Sequence, residues 1–179
     1  DIGGAFSGAF DNKNIGTSKT VSISASYSGV DSGNYTVTDQ SSTTANITAR
    51  TLTVSGLTAS NKTYDATTVE TLGTVAFVYG GLVSGDTLTG TYSGVFDNAN
   101  VGTGKTVTIT SSYGGTDVNN YTITDQASTT ADVTAKALTA TASTANKTYD
   151  GNNTATTTLT FSGLVGSETL GQTVGSTFD

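Results

Sequence analysis

Five residue types are missing altogether from this chain of 179 residues: cysteine, histidine, methionine, tryptophan and proline. Without cysteine there are no disulfides and no thiolate nucleophile, so nothing in the chain reports a redox compartment. Without histidine or cysteine, the usual general base, the commonest nucleophile systems and zinc sites of the familiar type are gone. The lack of methionine extends to the initiator, so the sequence is expected to be a stretch of a longer protein. No apolar run approaches the roughly 20 residues that span a bilayer, and no signal peptide is visible, so no membrane insertion is expected within this stretch. Positive charge is scarce: seven Lys and Arg stand against fourteen Asp and Glu, a net charge of −7. Such a chain matches phosphate backbones poorly, so nucleic acid is not expected as a partner.

Carboxylates are present, but the sequence does not arrange them for catalysis. A pair of them is the minimum for glycoside hydrolysis. Most of the Asp residues, however, sit among Asn, Gly and Ser, where Asx-turn bonding accounts for them. Glu occurs only as Glu70 and Glu168, which do not match each other in the repeat described below. The expectation is that the chain is not an enzyme and needs no cofactor. Calcium, which needs only oxygen ligands, is the one metal to weigh. "DNKNIG" and "DNANVG" resemble a calcium loop, yet loop positions 3 and 5 hold Lys13 and Ile15, or Ala99 and Val101. A turn whose Asn side chains bond its own backbone is the expected reading.

What the chain does contain is itself, twice. Residues 4–49 align without a gap on 90–135, with 29 of 46 positions identical. "FDNKNIGTSKTVSI" (Phe10 to Ile23) returns as "FDNANVGTGKTVTI" (Phe96 to Ile109), and "NYTVTDQ" (Asn34 to Gln40) as "NYTITDQ" (Asn120 to Gln126). "TARTLTVSGLTASNKTYD" (Thr48 to Asp65) matches "TAKALTATASTANKTYD" (Thr134 to Asp150) with one residue lost, and "GGLVSGDTL" (Gly80 to Leu88) matches "SGLVGSETL" (Ser162 to Leu170). A variable loop is placed between about 66 and 79. The organisation that follows is the C-terminal part of one repeat over 1–49, a complete repeat over 50–135 and the N-terminal part of the next over 136–179.

The period of the apolar residues is two. In "TVSISASYS" Val21, Ile23, Ala25 and Tyr27 alternate with Ser, the pattern of a half-buried strand. "TVTITSSYG", "NYTVT", "NITA", "TLTVS" and "VAFVY" read likewise as strands, with "SGVDSGN" and "GGTDVNN" as turns between them. Only "SGVFDNANVGTG" is allowed a helical turn. The alternation slips phase across "TART" and again at "TAKA", which suits a chain passing from one repeat to the next with almost no linker. The expected fold is all-β: small antiparallel β-sandwich-like domains, or β-grasp-like units, in an extended tandem array.

"NKTYD" recurs at Asn61–Asp65 and Asn146–Asp150. Lys62 and Tyr64, like Lys147 and Tyr149, are two apart and would share a strand face, with Asp65 and Asp150 on the other. Three readings are open: a Tyr packed into the core with Lys along the edge, an exposed Tyr platform for sugars, or a Lys amine crosslinked to Asn. The first needs no further chemistry and is preferred.

"NKTYDGNNTAT" (Asn146 to Thr156), the "GLV" stretch that follows it, "GTYSGVFDNANVGTGKTV" (Gly90 to Val107) and the "NYT" of each copy together resemble the YDG/MBG-type repeats. These occur in tandem in large bacterial surface adhesins of the filamentous-haemagglutinin kind, and the resemblance covers essentially the whole chain. Tyr149, Asp150 and Gly151 match the namesake triplet. The first copy has Ala66 in place of the glycine, so a positive φ is not expected to be obligatory there. The resemblance implies an extracellular, cell-surface stalk module, a spacer that projects an adhesive tip, and it transfers no catalytic or ligand-binding residue. The alternative is a multivalent weak binder of glycan or matrix. Expected partners are the neighbouring repeats, and head-to-tail self-association through the two partial repeats. The receptor is unknown.

Overall fold

The computed structural model describes residues 2–73, 78–172 and 174–175. It is all-β. The strands are β1 (Gly3–Phe10), β2 (Gly16–Ser28), β3 (Ser42–Ile47), β4 (Arg50–Ser55), β5 (Thr58–Ala59), β6 (Lys62–Thr63), β7 (Val69–Glu70), β8 (Leu72–Gly73), β9 (Val78–Gly80), β10 (Thr89–Phe96), β11 (Gly102–Gly114), β12 (Tyr121–Thr124), β13 (Ser128–Thr134), β14 (Thr139–Thr144) and β15 (Thr157–Ser162). Among the described residues, helical turns are confined to Ser32–Asn34 and Val118–Asn120, inside the predicted turns "SGVDSGN" and "GGTDVNN". The stretch "SGVFDNANVGTG" is strand, turn and strand instead, because the side chains of Asp97 and Asn98 accept the amides of Asn98 and Asn100 in the turn between β10 and β11.

Two compact units divide the chain. One takes Asp1–Leu57, Thr74–Tyr92 and Ser111–Gln126, the other Thr58–Gly73, Ser93–Thr110 and Ala127–Asp179. The first unit carries two three-stranded sheets, ordered β1-β2-β3 and β12-β4-β9. In the β1-β2 pair Phe10 stands opposite Val21, Gly8 opposite Ile23 and Phe6 opposite Ala25, so the apolar members of both strands share one face. β4 lies antiparallel to β9 and parallel to β12, with Leu52 beside Ile123. Leu52, Val54, Leu57 and Tyr121 are buried there.

The second unit carries the pairs β14-β15 and β5-β8 and the five-stranded sheet β6-β13-β11-β10-β7, of which it holds β10 from Ser93 and β11 as far as Thr110. Phe96, Val107, Ala131 and Val133 form its core, with Ala59, Tyr64 and Leu72 packed against them. Gly94 has to be glycine: a Cβ there would stand 2.8 Å from Leu72 Cδ2 and 2.9 Å from Val107 Cγ1. Antiparallel pairing predominates, but β12-β4 and β13-β6 are parallel.

The phase slip across "TART" coincides with a change of sheet, since β3 pairs with β2 and β4 with β12 and β9. A register shift between Gly16 and Lys19 in β2 recurs between Gly102 and Lys105 in β11. It is held by an amide-to-side-chain bond in each copy: Ser18 to Asn46 (2.8 Å) and Gly104 to Asp132 (2.7 Å). Both bulge residues have positive φ, 51° for Ser18 and 58° for Gly104.

Two further expectations change. "NYTVT" forms no strand in the first copy, while its counterpart is β12, because only the second copy has β4 as a parallel neighbour. The predicted loop between 66 and 79 contains β7 and β8, and of "VAFVY" only its end, in β9, lies within the described residues.

Candidate functional site

"NKTYD" folds as a lysine-centred loop. Lys62 stands in β6, at the edge of the five-stranded sheet, with its side chain largely buried. Its ammonium lies over the Phe96 ring, 5.7 Å from the centroid, and donates to the carbonyls of Thr67 (3.0 Å) and Val69 (3.3 Å) and to Thr67 Oγ1 (2.9 Å). Asp65 pairs with Nζ at 2.8 Å and accepts the Thr67 amide at 2.9 Å, an Asx-turn. Lys62 and then the Thr67 amide hold the Asp65 carboxyl down to about 2. The second copy repeats the device. Lys147 Nζ lies 2.7 Å from Asp150 and 2.8 Å from the Asn152 carbonyl, and Asp150 accepts the Asn152 amide at 3.1 Å.

The third residue of the triplet closes this turn in the left-handed region. Gly151 has φ 80° and Ala66 φ 63°. The expectation for Ala66 is therefore corrected: the turn requires positive φ in both copies, and the first copy meets it with a side chain.

The Asp-Asn turn also has a lysine at its centre. Asp11 and Asn12 Oδ1 lie 2.9 and 2.7 Å from Lys19 Nζ, and Asp97 and Asn98 Oδ1 lie 2.8 and 2.7 Å from Lys105 Nζ. The oxygens that resembled a calcium loop thus surround an ammonium. Among the described residues no three acidic side chains converge as a metal site.

Where one repeat meets the next, the chain builds the same cleft twice. The first, of about 220 Å³, is lined by Ile15, Arg50, Val83, Asp86 and Tyr121. The second, of about 230 Å³, is lined by Val101, Lys136, Val165, Glu168 and Tyr64. Ile15 and Val101, Arg50 and Lys136, Val83 and Val165, and Asp86 and Glu168 are repeat-equivalent pairs. An acid lines each.

In the first cleft Asp86 accepts from Tyr121 Oη (2.6 Å), and Lys13, from the preceding repeat, bridges Asp86 (2.7 Å) and Asp117 (2.8 Å). Tyr121 Oη accepts the Val83 amide at 3.0 Å, and Asn120 Oδ1 accepts the Ile15 amide at 3.0 Å. Lys13 and then the Thr87 amide hold the Asp117 carboxyl down to about 2, and Lys13 and then Tyr121 lower Asp86. In the second cleft Glu168 accepts from Tyr64 Oη, which raises the Tyr64 hydroxyl above its ordinary value.

With these contacts described, the sequence can be placed among known families. A family model described as the YDG domain matches residues 2–45 and 48–131. The chain belongs to the YDG domain family. No curated protein and no solved structure matches it.

The YDG triplet thus divides its labour. Its Asp and third positions shape the turn, while Tyr64 reaches Glu168 of the next copy. Tyr64 is half-buried against the core and bonded to Glu168, whereas Tyr149 is 94% exposed. Lys62 meets Thr67, Val69 and Asp65, and Lys147 meets Asp150 and Asn152 on the surface. The residues that sequence reasoning missed are Lys13, Asp86, Asp117 and Glu168. The available signal was the acid retained at one position of "GLVSGDTL" and "GLVGSETL" despite the change from Asp to Glu.

Proposed function

We propose that this YDG chain is a structural spacer, a stalk segment of a bacterial cell-surface or secreted adhesin that carries an adhesive tip away from the cell. The observation that carries this reading is the doubled cleft: equivalent residues of consecutive repeats meet around an equivalent acid in both places. A contact that recurs with the repeat fixes the relation between neighbours, and a fixed relation multiplied is a stalk. The signature residues support the same reading, because Lys62, Asp65, Lys147 and Asp150 are engaged in turn closure and Tyr64 in the cleft. Extracellular placement and the absence of an enzymatic role belong to this proposal.

The test is small-angle scattering on chains lengthened by one, two and four further copies of residues 50–135. The maximum dimension should rise by a constant step of roughly 30–40 Å per copy, the size of a compact domain of this length. Growth with the square root of copy number would mean flexible beads and would remove the spacer reading.

A further inference from the structure

Two hairpin turns hold the same three side chains at nearly the same distances. Between β10 and β11 the Lys105 ammonium stands 2.7 Å from Asn98 Oδ1 and 2.8 Å from Asp97 Oδ1. Between β1 and β2 the Lys19 ammonium stands 2.7 Å from Asn12 Oδ1 and 2.9 Å from Asp11 Oδ1. The lysine side chains are only 8% and 9% exposed, although their aspartates are 49% and 50% exposed. The bulge between Gly102 and Lys105, and that between Gly16 and Lys19, leaves each lysine beside the turn that precedes its strand. Glycine makes room for the stems: a Cβ at Gly102 would stand 3.2 Å from Lys105 Cδ, and one at Gly16 3.1 Å from Lys19 Cδ.

A carboxylate alone would hold an ammonium, but an amide is also an electrophile. Asn98 Oδ1 accepts the Asn100 amide at 3.0 Å, and Asn12 Oδ1 that of Asn14 at 3.0 Å. Two donors on one carbonyl oxygen polarise the C=O bond, and the main-chain donor stays in place when that oxygen becomes negative. Lys105 and Lys19 hold the carboxyls of Asp97 and Asp11 below their ordinary values, so both are carboxylates at neutral pH and can take a proton. Amine, electrophile, proton acceptor and oxyanion donor are thus held together in each turn before any reaction. The "NKTYD" lysines differ. Lys62 has Thr67 where an amide would be needed. Lys147, although close to Asp150 and Asn152, is 27% exposed and is also held by the Asn152 main-chain carbonyl.

We propose that Lys105 with Asn98, and Lys19 with Asn12, form intramolecular amide crosslinks, each releasing one ammonia and closing its hairpin covalently. The Lys105 ammonium passes a proton to Asp97, and the neutral amine adds to the Asn98 side-chain carbon. The oxygen takes the negative charge beside the Asn100 amide. Asp97 then protonates the side-chain nitrogen, the bond from carbon to that nitrogen breaks, and ammonia leaves. The new amide gives up its extra proton to the ammonia, which departs as ammonium, and Asp97 ends as the carboxylate it was. No oxidant or cofactor enters the balance. Lys19, Asn12, Asp11 and Asn14 take the same parts in the first copy. Lys62 and Lys147 remain amines. The inference rests on these two turns and not on the spacer reading, so either can fail alone.

The experiment is intact-mass measurement of the denatured full chain, held folded at neutral pH until its mass is constant, followed by tryptic digestion. The mass should be lower than the sequence requires by two molecules of ammonia. Trypsin cuts after Lys13, inside the loop that Asn12 and Lys19 would close, so fragments 1–13 and 14–50 should stay joined. Fragment 63–136 should stay uncut at Lys105. Lys105→Arg and Asp97→Asn should each abolish the link at Asn98 and leave that at Asn12, which reports that the rest of the chain is folded. The full sequence mass, loss of ammonia without joined fragments, or a link at Lys147 alone would overturn the proposal. An Asp97→Asn chain that links at Asn98 like the wild type would overturn the proton transfer.

Discussion

Phe96 and Phe10 are the same residue at the same repeat position, and truncating each to alanine measures what the first half of a repeat contributes to the second. Phe96 is 2% exposed and packed with Val107, Ala131 and Val133. Removing its ring discards the transfer free energy and leaves a cavity, together about 3–5 kcal/mol. Phe10 is 40% exposed, so water enters the vacated space and no cavity term survives. About three-fifths of a full transfer value of 1.5–3 kcal/mol remains, roughly 1–2 kcal/mol. The difference of about 2 kcal/mol corresponds to about 30-fold in the opening constant. The chain has two compact units and need not unfold in one step, so a single melting curve is the wrong readout. Native-state hydrogen exchange, at low micromolar concentration, reads β11 and β13 for Phe96→Ala and β2 and β3 for Phe10→Ala. Equal losses at the two sites would refute the claim that the first half of the repeat supplies the cover.

Ala66→Gly should stabilise its turn by about 0.5–1 kcal/mol, the left-handed penalty less the entropy of glycine. Gly151→Ala, where a Cβ would meet nothing within 4 Å, should cost a similar amount; local exchange at the turns reads both, and an unchanged Ala66→Gly would refute the strain. Asp86 titrates below its ordinary value of 3.8 when folded, and Asp117 at about 2, so their contribution is complete above that ordinary value and is lost as pH falls through the lowered ones. Carboxyl NMR of Lys13→Ala should show Asp117 returning toward that ordinary value. Lys62→Met keeps an unbranched side chain but removes the ammonium from two carbonyls and from the Phe96 ring, at a cost of about 1–3 kcal/mol. Faster exchange of the Tyr64 amide is the readout.

Much of this fold could be read in one dimension because its strands are half-buried. Val21, Ile23 and Ala25 announce β2 by alternation, and "TLTVS" announces β4. Alternation describes one strand's two faces and says nothing of its neighbours. "NYTVT" and "NYTIT" therefore read alike, although only the second has a strand beside it. The parallel pairings were hidden for the same reason. The lysines were misjudged differently. Lys62 and Lys147 read as charges along an edge, and only the returning chain reveals the carbonyl and carboxylate oxygens that hold them. The cleft acids were the least visible, since each meets partners far away in sequence.

One position in the first cleft differs between copies in a way that bears on mechanical load. Lys13 clamps Asp86 and Asp117, and its equivalent in the complete repeat is Ala99. A joint formed after alanine lacks that ionic clasp and has less to break before its neighbours part. In a chain pulled from its ends, single substitutions at this turn would rank the joints by the force at which each gives way, so that extension is released in instalments and the tension on what remains is relieved.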